Sequence, residues 1–298
     1  MNDSLSPSRL RYFTPLRYPG GKGRLAPYLK AVLEANNLLD GEYVEPYAGG
    51  AAVALELLFH EYVSCIRIND LSVPVFAFWH CVLNETEALV RLVRDTSLTV
   101  AEWDRQRTIF RTEDGSDLLS LGFAFFYLNR TNRSGILNGG VIGGRQQTGH
   151  WKIDARYNAK ELIARIEAIA RLGSRIHLTN LDAVSFLEEG RGVWSTRTIV
   201  YCDPPYYVKG RDLYYHFYEH VDHARVADQV TKLTRHWVVS YDNVPEIHAL
   251  YAGFRHIAYD IGYSARNIRQ GSEVMFFSPH LDVPKVVGAI SETARVLA

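Results

Sequence analysis

The sequence has little that would support a disulfide framework, a zinc site or a membrane span. Its cysteines are few, odd in number, far apart and without a C-x-x-C pair, which argues against disulfides and against zinc. The richest apolar stretch, from Tyr43 to Phe59, contains Glu45 and Glu56 and therefore predicts buried core. Because the N-terminus has neither a basic start nor an apolar segment, we expect a cytoplasmic protein. The three cysteines are Cys65, Cys81 and Cys202.

The sequence also has no excess of charge of either sign. Its 298 residues include 33 basic and 33 acidic side chains, whereas nucleic-acid-binding proteins often carry a basic excess. The distribution is uneven, however, because the stretch from Arg130 to Arg175 is locally basic. With 47% hydrophobic and 22% charged residues, the chain is typical of a globular protein with one large domain or two.

Four residues, Asp203-Pro204-Pro205-Tyr206, carry the most specific signal in the sequence. They follow the run from Thr198 to Cys202, which is β-branched and apolar and predicts a buried strand. The prolines fix φ and remove N–H groups, so the carbonyls point one way. A carboxylate, a carbonyl and an aromatic face at one sheet edge suit a planar ring with an exocyclic amine. An ordinary turn is the alternative, since Asp-Pro and Pro-Pro also form turns.

Alternating strand and helix patterns predict a parallel, doubly wound α/β sheet. One unit comprises a strand at Glu42 to Glu45, a glycine turn at Pro46 to Gly50, a helix to Phe59 and a second strand that ends before Asp70. Ligands of such sheets bind beyond the carboxyl ends of the strands, where Asp70 could hold ribose hydroxyls.

The glycine-rich segments do not match the common phosphate-binding motifs. The turn after the first strand lacks the G-x-G-x-x-G pattern, and Gly20-Gly21-Lys22 does not fit G-x-x-x-x-G-K-[ST]. A ligand with a ribose but no phosphates fits better, and S-adenosylmethionine is one. From Thr131 to Trp151, polar side chains alternate with glycines, which predicts a long loop or hairpin inside a mostly helical insertion.

Together these motifs resemble those of the D12-class, or Dam-like, DNA adenine-N6 methyltransferases. The resemblance extends from about Pro15 to Pro279, and four motifs in the family's order are more specific than any single one. The motifs are Arg17-Tyr18-Pro19-Gly20-Gly21-Lys22, Glu45-Pro46-Tyr47-Ala48-Gly49-Gly50-Ala51, Phe126-Tyr127-Leu128-Asn129-Arg130-Thr131 and Asp203-Pro204-Pro205-Tyr206.

The resemblance implies a fold and a domain organisation. The fold is that of a class I, Rossmann-like methyltransferase: a doubly wound, mostly parallel sheet with an inserted, mostly helical target-recognition subdomain. The catalytic domain would comprise residues 14–70 and 173–280, the insert residues 71–172, and the flexible termini residues 1–13 and 281–298. The cofactor would be S-adenosyl-L-methionine, with no metal.

The resemblance also assigns residues to the cofactor. Tyr18 and Lys22 would contact its methionine end, Glu45 its amino group, Asp70 its ribose and Asp182 its adenine edge. Each side chain could instead have a structural role, and for Asp182 a helix N-cap is about equally supported. The implied cofactor-binding residues are Tyr18, Gly20, Gly21, Lys22, Glu45, Pro46, Tyr47, Gly49, Asp70, Asp182 and Asp203.

In the implied mechanism, Asp203, Pro204, Pro205 and Tyr206 are the catalytic residues. Hydrogen bonds from adenine N6 to the Asp203 side chain and the Pro204 carbonyl would localise the lone pair of the nitrogen, which could then attack the sulfonium methyl group. A base inside a duplex cannot reach such a pocket, so it would be flipped out and stacked on Tyr206.

The insert would read the DNA sequence, chiefly through the loop from Arg130 to Trp151. Arginine suits guanine in the major groove, and asparagine or glutamine suits adenine, whereas neighbouring basic residues would hold phosphates. For each residue singly, a glycine-rich surface loop without DNA contacts is the alternative. The predicted DNA-binding residues are Arg130, Asn132, Arg133, Asn138, Arg145, Gln147 and Lys152.

Two other functions fit the same residues. The chain could be a methyltransferase for another amino group, such as cytosine N4, an RNA base or a protein amide, or a DNA-binding relative without catalytic activity. The resemblance favours action on adenine in double-stranded DNA over both alternatives. We expect a monomer without membrane association, and a cognate restriction endonuclease is a candidate partner.

Overall fold

The computed structural model describes residues 13–17, 22–208, 218–261, 271–285 and 290–292. The chain divides into a sheet unit, which comprises Lys22–Asn69 and Leu181–Ala298, and a helical unit, which comprises Met1–Gly21 and Asp70–Asn180. The predicted insert, residues 71–172, falls within the helical unit, and its role in DNA recognition stays a prediction. No described helix is long and apolar enough to cross a membrane.

Helices and strands alternate along the described parts of the sheet unit up to residue 261, whereas the helical unit consists mostly of consecutive helices. The helices are α1 (Ala26–Ala35), α2 (Ala52–Phe59), α3 (Val73–Asn84), α4 (Thr86–Asp95), α5 (Val100–Thr112), α6 (Leu118–Thr131), α7 (Ala159–Ala170), α8 (Ala183–Gly190), α9 (His220–Thr231) and α10 (Pro245–Leu250). The strands are β1 (Gly41–Glu45), β2 (Val63–Asn69), β3 (Ile176–Thr179), β4 (Thr198–Cys202), β5 (His236–Asp242), β6 (His256–Ile261), β7 (Gly271–Phe277) and β8 (Ile290–Glu292).

The sheet unit holds seven strands in the order β2-β1-β4-β5-β7-β6-β8. The first four run parallel to one another, as the βα alternation predicts. Strand β7 is antiparallel to β5 and to β6, and β8 is antiparallel to β6. The predicted doubly wound, mostly parallel sheet is therefore confirmed, with an antiparallel edge that the sequence patterns did not indicate.

The central strands are buried on both faces. All five residues of β1 and all five of β4 are buried, which is typical of parallel strands covered by helices on both sides. Val44, Val200 and Val239 belong to one core cluster together with residues of α8, α9 and α10. Since side chains alternate along a strand, Tyr43 and Tyr201 face the opposite side, where their rings stack with centroids 6.4 Å apart.

The C-terminal end of the chain contributes the outermost strand of this sheet. Strand β8 pairs with β6 through Tyr259, Asp260 and Ile261. It lies inside the segment 281–298, and the expected flexibility of that segment stays a prediction. Residues 1–12 and 293–298 of the expected flexible ends lie outside the described residues.

The helical unit is built around the close packing of α3 against α6. The Phe78 and Phe126 rings stack with their centroids 5.5 Å apart and nearly parallel planes. The aromatic side chains of α6 are buried in this core and do not form an exposed stacking surface. Gly122 allows the approach, because a Cβ atom there would lie 2.8 Å from the backbone of Ala77.

We therefore expect Gly122→Ala to destabilise the helical unit. Alanine favours helix by about 1 kcal/mol over glycine, but relief of the clash with the α3 backbone requires the two helices to move apart. The net loss in the free energy of unfolding should be about 1–3 kcal/mol, measured by urea denaturation. The control is Gly173→Ala, where the nearest atom to an added Cβ is 3.9 Å away. Equal stability of the two variants would contradict the packing argument.

Candidate active site

The end of β4 carries the carboxylate around which the site is arranged. Asp203 follows the last residue of β4, and the neighbouring strand β5 places Ser240 beside it. The Asp203 Oδ1 atom accepts hydrogen bonds from Lys22 Nζ at 2.8 Å and from Ser240 Oγ at 2.9 Å. No described residue donates a hydrogen bond to Asp203 Oδ2 or to the Pro204 carbonyl, and the Asp203 side chain is 25% exposed.

Lys22 is a buried cation between two carboxylates. Its side chain is 3% exposed, and its Nζ atom lies 2.8 Å from Asp203 Oδ1 and 2.9 Å from Glu273 Oε2. Burial disfavours the charged form, but the two carboxylates outweigh burial and raise the pKa of Lys22 well above its usual value. The ammonium group therefore stays charged and has its partners inside the protein.

Glu273, on β7, completes this arrangement and is also buried. Its Oε1 atom accepts the hydroxyl of Tyr206 at 2.9 Å, and its Oε2 atom accepts the hydroxyl of Tyr259 at 2.8 Å. The Ser240 hydroxyl donates to Asp203, so it accepts from Tyr201, whose hydroxyl oxygen lies 2.8 Å away. These contacts form a continuous polar network, which we call the Lys22 network: Lys22, Tyr201, Asp203, Tyr206, Ser240, Tyr259 and Glu273.

The Lys22 network carries a net negative charge when its carboxylates are ionised. Burial raises the pKa of Asp203 above its ordinary value, the charge of Lys22 opposes this rise, and the charge of Glu273 adds to it. One ammonium faces two carboxylates, so one unit of negative charge remains uncompensated within the network. A site of this kind favours a ligand group that develops positive charge.

A second part of the sheet unit ties together the loops that follow β1 and precede α8. Asn69, at the end of β2, donates from Nδ2 to the carbonyls of Pro46 at 3.1 Å and Leu181 at 3.0 Å. Its Oδ1 atom accepts from the Leu181 backbone N–H, and its carbonyl accepts from Ala48 N–H. Asn69 is fully buried, so it holds the two loops at the carboxyl ends of the parallel strands.

The glycine turn after β1 and the start of α8 supply groups that fit S-adenosylmethionine. Gly49 has a φ of +45°, a conformation that favours glycine and brings the backbone close to a ligand. Glu45 is buried at the end of β1 and accepts the Tyr43 hydroxyl at 3.2 Å. Asp182 accepts from Val184 N–H and is the N-cap of α8. Carboxylates and a glycine turn, without a phosphate-binding loop, suit a cationic nucleoside.

The family model of the D12 class N6 adenine-specific DNA methyltransferases matches residues 18–262 of the chain. The match covers most of the sequence and includes every residue of the Lys22 network except Glu273. The chain belongs to this family. Membership shows that it is an S-adenosylmethionine-dependent methyltransferase and implies a DNA substrate.

Solved methyltransferase structures also align with the chain at low identity. The rRNA methyltransferase aviRa from Streptomyces viridochromogenes is 12% identical, with 88% of this chain and 86% of that chain covered and a TM-score of 0.38. A SAM-dependent methyltransferase from Agrobacterium tumefaciens is 10% identical, with 85% and 60% covered and a TM-score of 0.37. No curated protein matches the sequence.

Three of the predicted cofactor residues, Tyr18, Gly20 and Gly21, lie outside the described residues. The Lys22 ammonium lies between the carboxylates of Asp203 and Glu273. Its predicted contact with the carboxylate of the cofactor stays a prediction. Asp70 belongs to the helical unit, where its Oδ1 atom accepts from Ser72 N–H before α3. Its predicted contact with the ribose is likewise untested.

Two of the predicted DNA-binding residues form side-chain hydrogen bonds within the helical unit. The Asn132 Oδ1 atom accepts from Trp103 Nε1 at 2.6 Å, and its Nδ2 atom donates to the carbonyls of Ile136 and Leu137. Gln147 is held in the same way: Nε2 donates to two loop carbonyls at 2.7 Å and Oε1 accepts from Ile153 N–H at 2.9 Å. These bonds hold the loop together, and the part of either side chain in DNA recognition stays a prediction.

The arginines and the lysine of the loop fall into different environments. Arg130 donates to the carbonyls of Arg156 and Pro15, and Arg145 forms a two-bond ion pair with Asp104 at 2.7 and 2.8 Å. Lys152 donates to the Gln147 carbonyl. Arg133 and Asn138 are exposed, and no hydrogen bond within the described chain holds either side chain.

Sequence reasoning missed Asn69, Ser240, Tyr259 and Glu273. Glu273 and Ser240 each interrupt a strand that is otherwise rich in apolar and aromatic residues. A carboxylate in such a strand is costly to bury without partners. Its presence could therefore have indicated that Glu273 has a buried polar partner. The identity of those partners depends on the order of β4, β5 and β7, which no local pattern indicates.

We expect Asn69→Ala to weaken cofactor binding as well as the fold. The change leaves Leu181 N–H and two carbonyls without their buried partner, at a cost of about 1–3 kcal/mol. If both cofactor loops loosen, the affinity for S-adenosylmethionine should fall by about 10-fold, which corresponds to roughly 1.4 kcal/mol. Calorimetry measures this, with Asn84→Ala as the control, because Asn84 is exposed in the helical unit. Unchanged affinity in Asn69→Ala would refute the role.

Proposed function

We propose that the protein is a site-specific DNA (adenine-N6)-methyltransferase that acts on an adenine flipped out of duplex DNA. The observation that supports this most directly is the pair of acceptors at the end of β4. Asp203 Oδ2 and the Pro204 carbonyl have no donor among the described residues, while Oδ1 is held by Lys22 and Ser240. An exocyclic amine has two N–H groups, so two adjacent acceptors match it.

The chemistry of the proposed reaction depends on these two acceptors. Adenine N6 is a poor nucleophile because its lone pair is delocalised into the ring. Two hydrogen bonds, to Asp203 Oδ2 and the Pro204 carbonyl, favour the geometry in which the lone pair is localised on nitrogen. The cofactor supplies an electrophilic methyl group when bound, and Glu45, the glycine turn and Asp182 are the residues of the sheet unit that would hold it.

Asp203 also accounts for the proton and the charge. The nitrogen becomes positively charged as it gains a methyl group, and the net negative charge of the Lys22 network stabilises it. The nitrogen must then lose a proton, and Asp203 Oδ2 is the adjacent acceptor. Because Lys22 and Ser240 fix the carboxylate beforehand, it does not have to reorganise during the reaction.

Tyr206 would provide the stacking face for the flipped base. It is 8% exposed and borders a cavity of about 370 Å³ whose described lining is aromatic and polar apart from Val208. The lining residues are Tyr206, Tyr207, Val208, Tyr218, Glu219 and His220. A flipped base is commonly held between aromatic side chains and read by hydrogen bonds at its edge.

The recognition loop of the helical unit would make the sequence-specific contacts. Within it, Arg133 and Asn138 are the predicted base-reading residues whose side chains remain exposed and unengaged among the described residues. Arg130, Arg145 and Lys152 would contribute positive charge toward the phosphates. A modification role beside a cognate restriction endonuclease, as a monomer, stays a prediction.

Methyl transfer from labelled S-adenosylmethionine to unmethylated DNA, RNA and protein tests the proposed function. We expect label in DNA alone, recovered as N6-methyladenine after digestion to nucleosides. Recovery of N4-methylcytosine, or of label only in RNA or protein, would replace the proposed substrate, since those amines could also occupy the two acceptors. Absence of transfer with intact cofactor binding would point to a silent relative.

Asp203→Asn should reduce methyl transfer by about 10²–10⁴-fold while cofactor binding survives. Lys22 and Ser240 both donate at the Oδ1 position, so the amide oxygen of asparagine would settle there. The amide nitrogen would then present N–H donors to an amine that needs acceptors. Single-turnover kinetics and calorimetry measure the two effects. Turnover within a few-fold of the wild type would remove Asp203 from the mechanism.

Arg133→Ala should weaken specific DNA binding by about 1–3 kcal/mol and relax the preference at one position of the target site. Affinity for S-adenosylmethionine should not change. Fluorescence anisotropy at fixed salt with a set of single-base variants of the site measures both properties. Arg111→Ala, an exposed arginine of α5, is the control for a loss of charge alone. A uniform loss across all sequences would instead assign Arg133 to the phosphates.

A further inference from the structure

We propose that Glu273 is a positioning residue for the reaction at Asp203. It would hold the Lys22 ammonium and the Tyr206 hydroxyl at the same time, so that the carboxylate and the stacking ring face the target amine together. This inference rests on the proposed function, because it assigns Glu273 to the reaction described above. Glu273 belongs to none of the four motifs that carry the family resemblance.

The geometry of Glu273 is unusual for a residue with only a structural role. It lies on β7, beside β5, and is 2% exposed. Its two oxygens serve different parts of the site: Oε1 accepts the hydroxyl of Tyr206 at 2.9 Å, and Oε2 lies 2.9 Å from Lys22 Nζ. Tyr259 donates to Oε2 at 2.8 Å and fixes the carboxylate from β6. A buried carboxylate with three such donors is held in one orientation.

The first consequence concerns charge. If Lys22 faced Asp203 alone, the pair would be neutral, and the ammonium would compete with the substrate amine for the Asp203 carboxylate. Glu273 takes a share of the Lys22 charge, so Asp203 keeps its charge available at Oδ2. The developing positive charge on the substrate nitrogen is then opposed by a net negative site.

The second consequence concerns the ring of Tyr206. Its hydroxyl is held by Glu273, and the Lys22 ammonium lies 5.3 Å from the ring centroid, within the range of a cation–π contact. The two prolines that precede it restrict the backbone that leads to the ring. Anchored at both ends, the ring has a defined plane before any base arrives, and this reduces the loss of entropy on binding.

The pH dependence of the reaction separates this role from a structural one. Several titratable groups face Asp203, but the tyrosines and Cys202 have pKa values raised by burial, so they are neutral in the acidic range. Among the described residues, Lys22 and Glu273 alone bring charge to the carboxylate there. The groups concerned are Lys22, Tyr43, Tyr201, Cys202, Tyr259 and Glu273.

The signs of the two expected shifts are opposite. The charge of Glu273 raises the pKa of Asp203 and the charge of Lys22 lowers it. In Glu273→Gln the pKa of Asp203 therefore falls, and the acidic limb of the kcat profile should move to lower pH. In Lys22→Met it rises, and the limb should move to higher pH. A carbon-13 titration of the aspartate carboxyls, without cofactor, should show the same two directions.

Glu273→Gln should also lower kcat by about 100-fold, the size expected when a reacting group is misplaced by about 1 Å. The glutamine can still accept the Tyr206 hydroxyl, but its amide nitrogen would face the Lys22 and Tyr259 donors. The affinity for S-adenosylmethionine should stay within about 3-fold of the wild-type value, since 3-fold corresponds to well under 1 kcal/mol. The matched control is Glu42→Gln. Glu42 is a buried carboxylate near the start of β1 that pairs with Arg67 and Thr198 and, among the described residues, has no contact with the Lys22 network.

Loss of Lys22 could prevent folding, because it leaves two carboxylates buried together. A second test therefore keeps Lys22 and combines Tyr206→Phe with Glu273→Gln. Tyr206→Phe keeps the ring and removes only the hydroxyl that Glu273 holds. If Glu273 acts through Tyr206, the effects on kcat of Tyr206→Phe and Glu273→Gln should be less than additive in the double variant. Additive effects would show that Glu273 does not act through Tyr206.

The outcomes distinguish this inference from the proposed function. If the wild-type protein methylates no adenine in DNA, the proposed function fails. If the wild type is active but Glu273→Gln loses activity equally at every pH, with effects additive to those of Tyr206→Phe, Glu273 is merely structural. A shift of the acidic limb together with non-additivity, neither seen in Glu42→Gln, would support the positioning role.

Discussion

The buried ammonium of Lys22, held between the carboxylates of Asp203 and Glu273, is the interaction on which the rest of the site depends. Burying one cation with two anions is costly unless every group has close partners, and the sheet supplies them from β4, β5, β6 and β7. Each hydroxyl in the network has a direction fixed by the next acceptor. The Asp203 carboxylate is therefore oriented by the protein before substrate arrives.

The strand order explains how one lysine can reach both carboxylates. Strands β4, β5 and β7 are consecutive in the sheet, and β7 runs antiparallel to β5. The reversal brings the start of β7, with Glu273, to the same edge as the end of β4, with Asp203. A parallel strand in that place would have put its first residues at the opposite edge. The antiparallel strand is thus a requirement of the charge arrangement as well as a feature of the fold.

Much of this could be predicted from the sequence, and the limits have physical causes. The parallel strands and the glycine turn follow from local periodicity and turn chemistry. Asp203 could be predicted as a site residue because Pro204, Pro205 and Tyr206 follow it at the end of a strand. Glu273 and Asn69 were missed because their roles depend on which strands become neighbours. In the loop, the side chains of Asn132 and Gln147 bond backbone carbonyls that no local pattern identifies as their partners. Their role in reading bases stays a prediction.

The division of labour within that loop has an evolutionary consequence. Asn132 and Gln147 hold its shape through bonds to backbone carbonyls, which exist whatever side chains the neighbouring positions carry. The exposed positions 133 and 138 can then change with little effect on folding. On the proposed role of these two positions in reading bases, a lineage of such enzymes would acquire new target sequences by substitution there, while the scaffold that presents them is inherited intact.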